Sequence, residues 1–314
     1  RRINMNKHIP LLSAFLVFQL VIVGLLFSAN PAMDNVSEQK PLLTINSDAI
    51  SQIKVIEDDE EISFVQKDNE WQLDGYSELI LQKNKLNALT SELANLQVTW
   101  PVTNTTSSHE RFNLTEDNFE KQIIFTDKDG NEQVLLLGKS PSYKQLYVRD
   151  ITDNDVYSIK FSAYQVSADV NNWFDKSMLA IDSISKINHS QVNLAKVDED
   201  WQLTPPSALA EQQSLDSGSI EDFINQLTSL SVTGLSTEPL QATNTLTVLN
   251  DQDEAFVYRF AENSDNYFVQ RDDIEHWFTL PKAKFEQLAN LTLNQFTAQQ
   301  ENNKEEDSAR LSDE

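Results

Sequence analysis

Glu70-Trp71-Gln72-Leu73 alternates polar and apolar residues in the manner of a half-buried strand, and Trp201-Gln202-Leu203 repeats it. Leu86, Leu89, Leu93 and Leu96 follow the first copy at a spacing that lines one face of an α-helix. Ile220, Phe223, Leu227 and Leu230 follow the second copy with the same spacing. The agreement continues along the chain. Asp127-Lys128-Asp129 and Asp251-Gln252-Asp253 each separate two apolar runs, and Val156-Tyr157-Ser158-Ile159 matches Trp277-Phe278-Thr279-Leu280. Collinear matches at a near-constant spacing indicate one module written twice. Each copy reads strands, helix, hairpin, hairpin, helix. Short strands joined by tight polar turns favour an antiparallel sheet with helices packed on it, so the expected fold class is α+β. The copies are expected at residues 44–180 and 181–297. Trp71, Leu86, Leu89, Leu93, Leu96, Trp201, Ile220, Phe223, Leu227 and Leu230 are the expected repeat core.

Upstream, residues 9–27 carry no charge and meet the ~20 apolar residues that a spanning helix needs. Ile9, Leu12, Phe15, Leu16, Phe18, Leu20, Ile22, Leu25 and Phe27 dominate the stretch, which reads as a single transmembrane helix. Arg1, Arg2 and Lys7 precede it, so the positive-inside rule keeps residues 1–8 in the cytoplasm and puts the rest in the periplasm of a bacterial inner membrane. A cleaved signal peptide is the competing reading. Phe27-Ser28-Ala29 places a bulky Phe where such a site wants a small residue, which favours an uncleaved anchor. Residues 28–43 read as a stalk and residues 298–314 as a disordered acidic tail.

The chain has 314 residues, with 24 Lys and Arg against 49 Asp and Glu, a net charge of -25. Such a balance argues against a nucleic-acid partner, because that binding relies on cationic side chains neutralising phosphates. There is no Cys, which removes disulfides, thiolate metal sites and a Cys nucleophile. Only 6 Gly are present, and no Gly-rich phosphate loop or G-x-S-x-G elbow occurs.

Candidate chemistry is thin, and each case has a plain structural counterpart. The acids at residues 57–61 could collect a divalent cation, but five adjacent acids between two strands read as a solvated turn. Asp127-Lys128-Asp129-Gly130-Asn131 opens like a calcium loop, yet Gly138 stands where the closing Glu belongs, and Asp-Gly between apolar runs signals a hairpin. His276 beside Asp272, Asp273 and Glu275 is the best-placed histidine for a metal, and a surface turn is its ordinary role. Trp71 and Trp201 could line a groove, although their repeated setting makes them core or sheet residues. No catalytic, cofactor-binding or metal-ligating residue is therefore expected.

An apolar N-terminal stretch, a strand, W-x-L and a Leu-striped helix together resemble the DUF4340 family. Tyr147-Val148-Arg149, Val156-Tyr157 and Trp173-Phe174-Asp175-Lys176-Ser177-Met178-Leu179 add to the likeness. The resemblance implies a bacterial inner-membrane protein grouped, as an auxiliary component, with gliding-motility-type ABC transport systems. It implies no catalytic residues. The expected function is a non-enzymatic, membrane-anchored periplasmic accessory subunit whose partners are ABC-type permease and ATPase chains. The alternative is a periplasmic module binding glycan or peptide in the cleft between the two copies.

Overall fold

The computed structural model describes residues 9–29, 39–205, 208–209 and 213–299. The short N-terminus at 1–8, most of the stalk and nearly all of the acidic tail lie outside the described residues. Among the described residues the fold is α+β, mostly antiparallel sheet with five α-helices: α1 (Ile9–Ala29), α2 (Lys83–Asn95), α3 (Thr106–Phe112), α4 (Ser217–Thr228) and α5 (Lys282–Ala289).

Among the described residues no helix is long and apolar enough to cross a membrane. That overturns the transmembrane helix expected over residues 9–27. The chain is helical at α1, but its side chains are described only over residues 13–25. Phe15, Leu16, Phe18, Leu20, Ile22 and Leu25 are exposed there. The side chains of Ile9, Leu12 and Phe27 lie outside the described residues.

The two stretches that repeat in sequence each open on three strands with a helix after them, and diverge beyond that point. Three strands (Ile50–Glu57, Glu60–Lys67, Glu70–Leu73) lead to α2, and three more (Lys186–His189, Asn193–Val197, Asp200–Leu203) precede α4. The second turn of each triplet has two residues at positive φ, Asp68 with Asn69 and Asp198 with Glu199. Both residues at positive φ is the geometry of a tight type I′ hairpin, which matches the twist of the flanking strands. It brings Lys67 opposite Glu70 and Val197 opposite Asp200.

Packing groups the chain into two compact units that alternate along the sequence, residues 1–50 with 89–165, and residues 51–88 with 166–314. In the first unit, strands Lys121–Asp127, Glu132–Leu137, Leu146–Asp150 and Val156–Ile159 form an antiparallel meander. Leu135, Leu136 and Leu137 are all fully buried. Successive side chains of a strand point to opposite faces, so this strand is covered on both. Ile123, Phe125 and Val148 fill the core. Leu114, Leu136 and Val156 form a separate cluster with Phe112, Phe119 and Tyr147 packed against it.

In the second unit, eight strands lie in the order Asp200–Leu203, Asn193–Val197, Lys186–His189, Asn244–Leu249, Ala255–Asn263, Asn266–Arg271, Trp277–Leu280, Gly234–Ser236. Asp216 caps α4: its Oδ1 accepts from Gly218 N, a donor the helix start leaves free, and its Oδ2 accepts from Ser219 Oγ. Phe223 of α4 meets Phe296 edge-on, and Phe285 of α5 packs against Phe260 and Tyr267.

The helical stripes bury as spaced. Leu86, Leu89 and Leu93 of α2 and Ile220, Phe223 and Leu227 of α4 are buried, as is Leu230 just past α4, while Leu96 is half-buried. Trp71 and Trp201 are strand residues at intermediate burial rather than core.

Candidate functional site

The densest polar constellation lies in the first unit, around the turn between strands Leu146–Asp150 and Val156–Ile159. Arg149 is nearly buried and holds that turn from within. Its Nε donates to Leu114 O at 2.9 Å, and its Nη1 donates to Ile151 O at 3.1 Å and Asp153 O at 2.9 Å. Asp150 closes the start of the turn: Oδ1 accepts from Thr152 N at 2.9 Å and Thr152 Oγ1 at 2.6 Å. His109 of α3 donates from Nε2 to Asn154 O at 2.9 Å.

Gln133 ties the chain entering the unit to this turn. Its Oε1 accepts from Thr44 N and Ile45 N at 2.8 and 3.1 Å. Its Nε2 donates to Leu42 O at 3.2 Å and to Asp150 Oδ2 at 2.8 Å. Lys40–Pro41 pairs with Gln97–Val98, and Leu42 and Leu43 are buried. Residues 40–43, read from sequence as stalk, are thus part of this unit.

Lys40 stands over the result. Its Nζ lies 3.7 Å from Asp153 Oδ2, 3.8 Å from Asp155 Oδ2 and 5.1 Å from the centre of the Tyr157 ring. Tyr157 in turn donates to Asp155 Oδ2 at 2.8 Å. The Tyr157 hydroxyl, and after it the two carboxylates, hold the Lys40 ammonium above its ordinary value against the opposing effect of burial. Burial pushes the Tyr157 hydroxyl up. These groups line a cavity of about 180 Å³ together with Val98 and Asp150. Two carboxylates share one cation here, so the turn carries spare negative charge facing a cavity. Such an arrangement suits a second ammonium or guanidinium from outside.

Beside the cavity runs an exposed apolar segment. Val98 lines the cavity, and Val102 N donates to Val156 O at 2.7 Å. Between them Trp100 is 71 % exposed, and Val102 is 50 % exposed. An indole left this far in water is unusual, because Trp buries more apolar area than any other side chain.

The motif Trp173 to Leu179 builds a different cluster, inside the second unit. Trp173 donates from Nε1 to Ser167 O at 2.8 Å and meets Phe64 edge-on, with ring centres 4.8 Å apart. Lys85 lies over the Trp173 ring and donates to Asn172 O. Lys176 Nζ sits 3.7 Å over the Phe174 ring, buried and without a hydrogen-bond partner. Burial lowers its pKa, Asp169 opposes that, and Lys85 adds to it. The motif is an anchor for packing, with one costly buried ammonium.

The residues singled out from sequence take structural places. Asp58 and Asp59 form an exposed turn, and Glu57 Oε2 accepts from Ala168 N. Asp127 accepts from Asp129 N, Asn131 N and Asn131 Nδ2, with Gly130 at φ +83: a hairpin turn. Asp273 binds Arg271 through both oxygens, at 2.6 and 2.8 Å. His276 instead approaches Glu78, Nε2 to Oε1 at 2.7 Å, without hydrogen-bond alignment. No group of three or more His, Cys, Asp or Glu among the described residues could hold a metal ion.

Sequence reasoning passed over Lys40, Trp100, Gln133 and the Asp150, Asp153 and Asp155 carboxylates. The available signal was the acid-rich run Asp150-Ile151-Thr152-Asp153-Asn154-Asp155 between two apolar strands.

Compared with known proteins, residues 71–247 match the family described as Domain of unknown function (DUF4340), over half of the chain. Neither the curated proteins nor the solved structures give a match.

Proposed function

The chain belongs to the DUF4340 family, and from that premise we propose that it works by binding rather than catalysis, as a periplasmic accessory subunit of an ABC-type transport or cell-surface system. The observation that carries the binding role is Trp100, 71 % exposed two residues after Val98, which lines the Lys40–Asp153–Asp155–Tyr157 cavity. Interface hot spots favour Trp held at the centre of a patch with a polar rim, and truncating one costs ~2 kcal/mol or more, about thirtyfold in affinity. The partner that fits is a protein with an apolar socket for the indole and a basic side chain that competes with Lys40 for Asp153 and Asp155. The assignment to an ABC-type system rests on the family resemblance.

The test is co-purification of the full chain from mild detergent, with Trp100→Ser and Asp153→Asn/Asp155→Asn variants alongside. A permease or ATPase subunit is expected with the unaltered chain. Recovery falls with Trp100→Ser, and with the double variant it falls and becomes less salt-sensitive. Failure to recover any transport subunit over several detergents and salts refutes the ABC assignment. Equal recovery by Trp100→Ser refutes the surface.

A further inference from the structure

A second cavity in the first unit, about 400 Å³, lies at the opposite end of the same hairpin from the acid turn. Leu146 pairs with Ile159, so the chain just before Leu146 and just after Ile159 meets at one place. Tyr143, Lys144 and Gln145 arrive from one side, and Lys160, Phe161 and Ser162 leave on the other. Phe161 is buried at 2 % and forms the apolar floor. Gln165 and Glu92 complete the lining. The volume falls within the ~300–1,000 Å³ range of small-molecule sites.

Three features set the chemistry. Tyr143 is 86 % exposed, with Lys144 Nζ over one face of its ring at 5.4 Å from the centre, and Tyr164, next to Gln165, is 91 % exposed. Gln165 Oε1 is buried with no hydrogen-bond partner, an acceptor that lacks a donor. Lys144 and Lys160 bring two cations to one cavity against the single carboxylate of Glu92, a positive excess on a chain of net charge -25. Lys144 does so from a left-handed backbone, φ 54, and the turn is held by Ser142 Oγ donating to Gln145 Oε1. Non-glycine residues in that region carry strain and persist where the surroundings require it.

We propose that this cavity binds an anionic saccharide, a sugar ring carrying a carboxylate. The C–H face of the ring stacks on Tyr143, a ring hydroxyl donates to Gln165 Oε1, and the carboxylate pairs with Lys144 and Lys160. A simple anion satisfies the lysines but leaves Gln165 and the tyrosine face unused. A neutral sugar leaves the lysines unused. The site is independent of the Trp100 surface and stands or falls separately from it.

Calorimetric titration of the full chain with a glucuronosyl-N-acetylglucosamine disaccharide tests this, with cellobiose and triglutamate as comparison ligands. The acidic disaccharide is expected to bind with a Kd on the order of 1 mM or below, and cellobiose about tenfold more weakly. Lys144→Gln/Lys160→Gln removes that difference. Tyr143→Ala and Gln165→Leu each weaken both sugars about tenfold. Because Tyr143 is exposed, its variant keeps the Tm of the parent, so lost binding there is not lost folding. Absence of heat with the acidic disaccharide, unchanged affinity in Tyr143→Ala and Gln165→Leu, or triglutamate binding as tightly as the disaccharide would each overturn the proposal.

Discussion

Replacing Gln133 by Leu tests whether one buried amide organises the candidate site. Gln133 is 6 % exposed and makes four hydrogen bonds, to Thr44 N, Ile45 N, Leu42 O and Asp150 Oδ2. Leucine keeps the approximate volume and removes all four. Thr44 is exposed, so water replaces the bond at its N–H. The losses therefore fall at Ile45 N–H, Leu42 C=O and Asp150, at about 0.5–1.5 kcal/mol each. Leaving the buried Leu42 carbonyl short of a donor puts its share at the upper end, for a total of about 2.5–4.5 kcal/mol. For a domain of 150–250 residues, this lowers Tm by roughly 5–18 °C. Thermal unfolding of the full chain reads the loss, and amide hydrogen exchange reads its place: protection should drop first at Thr44 and Ile45. Gln133→Glu sharpens the test, because it sets a carboxylate against Asp150. Its deficit should exceed that of the Leu variant at neutral pH and shrink as the new carboxyl protonates, below about pH 5. The reasoning fails if Gln133→Leu keeps the parent Tm and the parent protection at residues 44 and 45.

Two further substitutions probe the packing. Gly138→Ala would drive a Cβ into the Phe112 carbonyl and to 2.8 Å from Asn113 O. Neither backbone atom can swing aside, so a loss of about 3 kcal/mol or more is expected in denaturant titration, and an unchanged midpoint would contradict the close approach. Lys176→Met removes an ammonium whose pKa is lowered by burial. In the unaltered protein the penalty is complete below the folded pKa and fades as pH rises toward the unfolded value of 10.5. The parent should therefore gain stability relative to Lys176→Met as pH rises from neutral toward 10.5, and a flat difference across that range would count against a buried charge.

Much of the fold was legible because its signals are local. The Leu86–Leu89–Leu93 stripe lies within one helix, and Asp129-Gly130 sets a hairpin turn from two residues. Acidic runs such as Asp58-Asp59 and Asp127-Asn131 behave as turns, since adjacent acids cannot converge on one point. The apolar stretch at residues 9–27 was the exception: hydropathy suggested a span, and among the described residues no helix is long and apolar enough to cross a membrane.

Composition and period by themselves determined an α+β chain with its helical faces, its hairpin turns and its acidic balance, because each of these depends on neighbours a few residues apart. The tertiary structure alone decided that Lys40 meets Asp153 and Asp155, that Gln133 joins Leu42 to Asp150, and that Trp100 is left in water beside them. Those groups lie tens of residues apart or more. They meet only because Lys40–Pro41 pairs with Gln97–Val98 and the meander folds its turn back beneath them. No spacing rule records such a meeting, since long-range strand pairing is set by the burial of whole faces rather than by any local pattern.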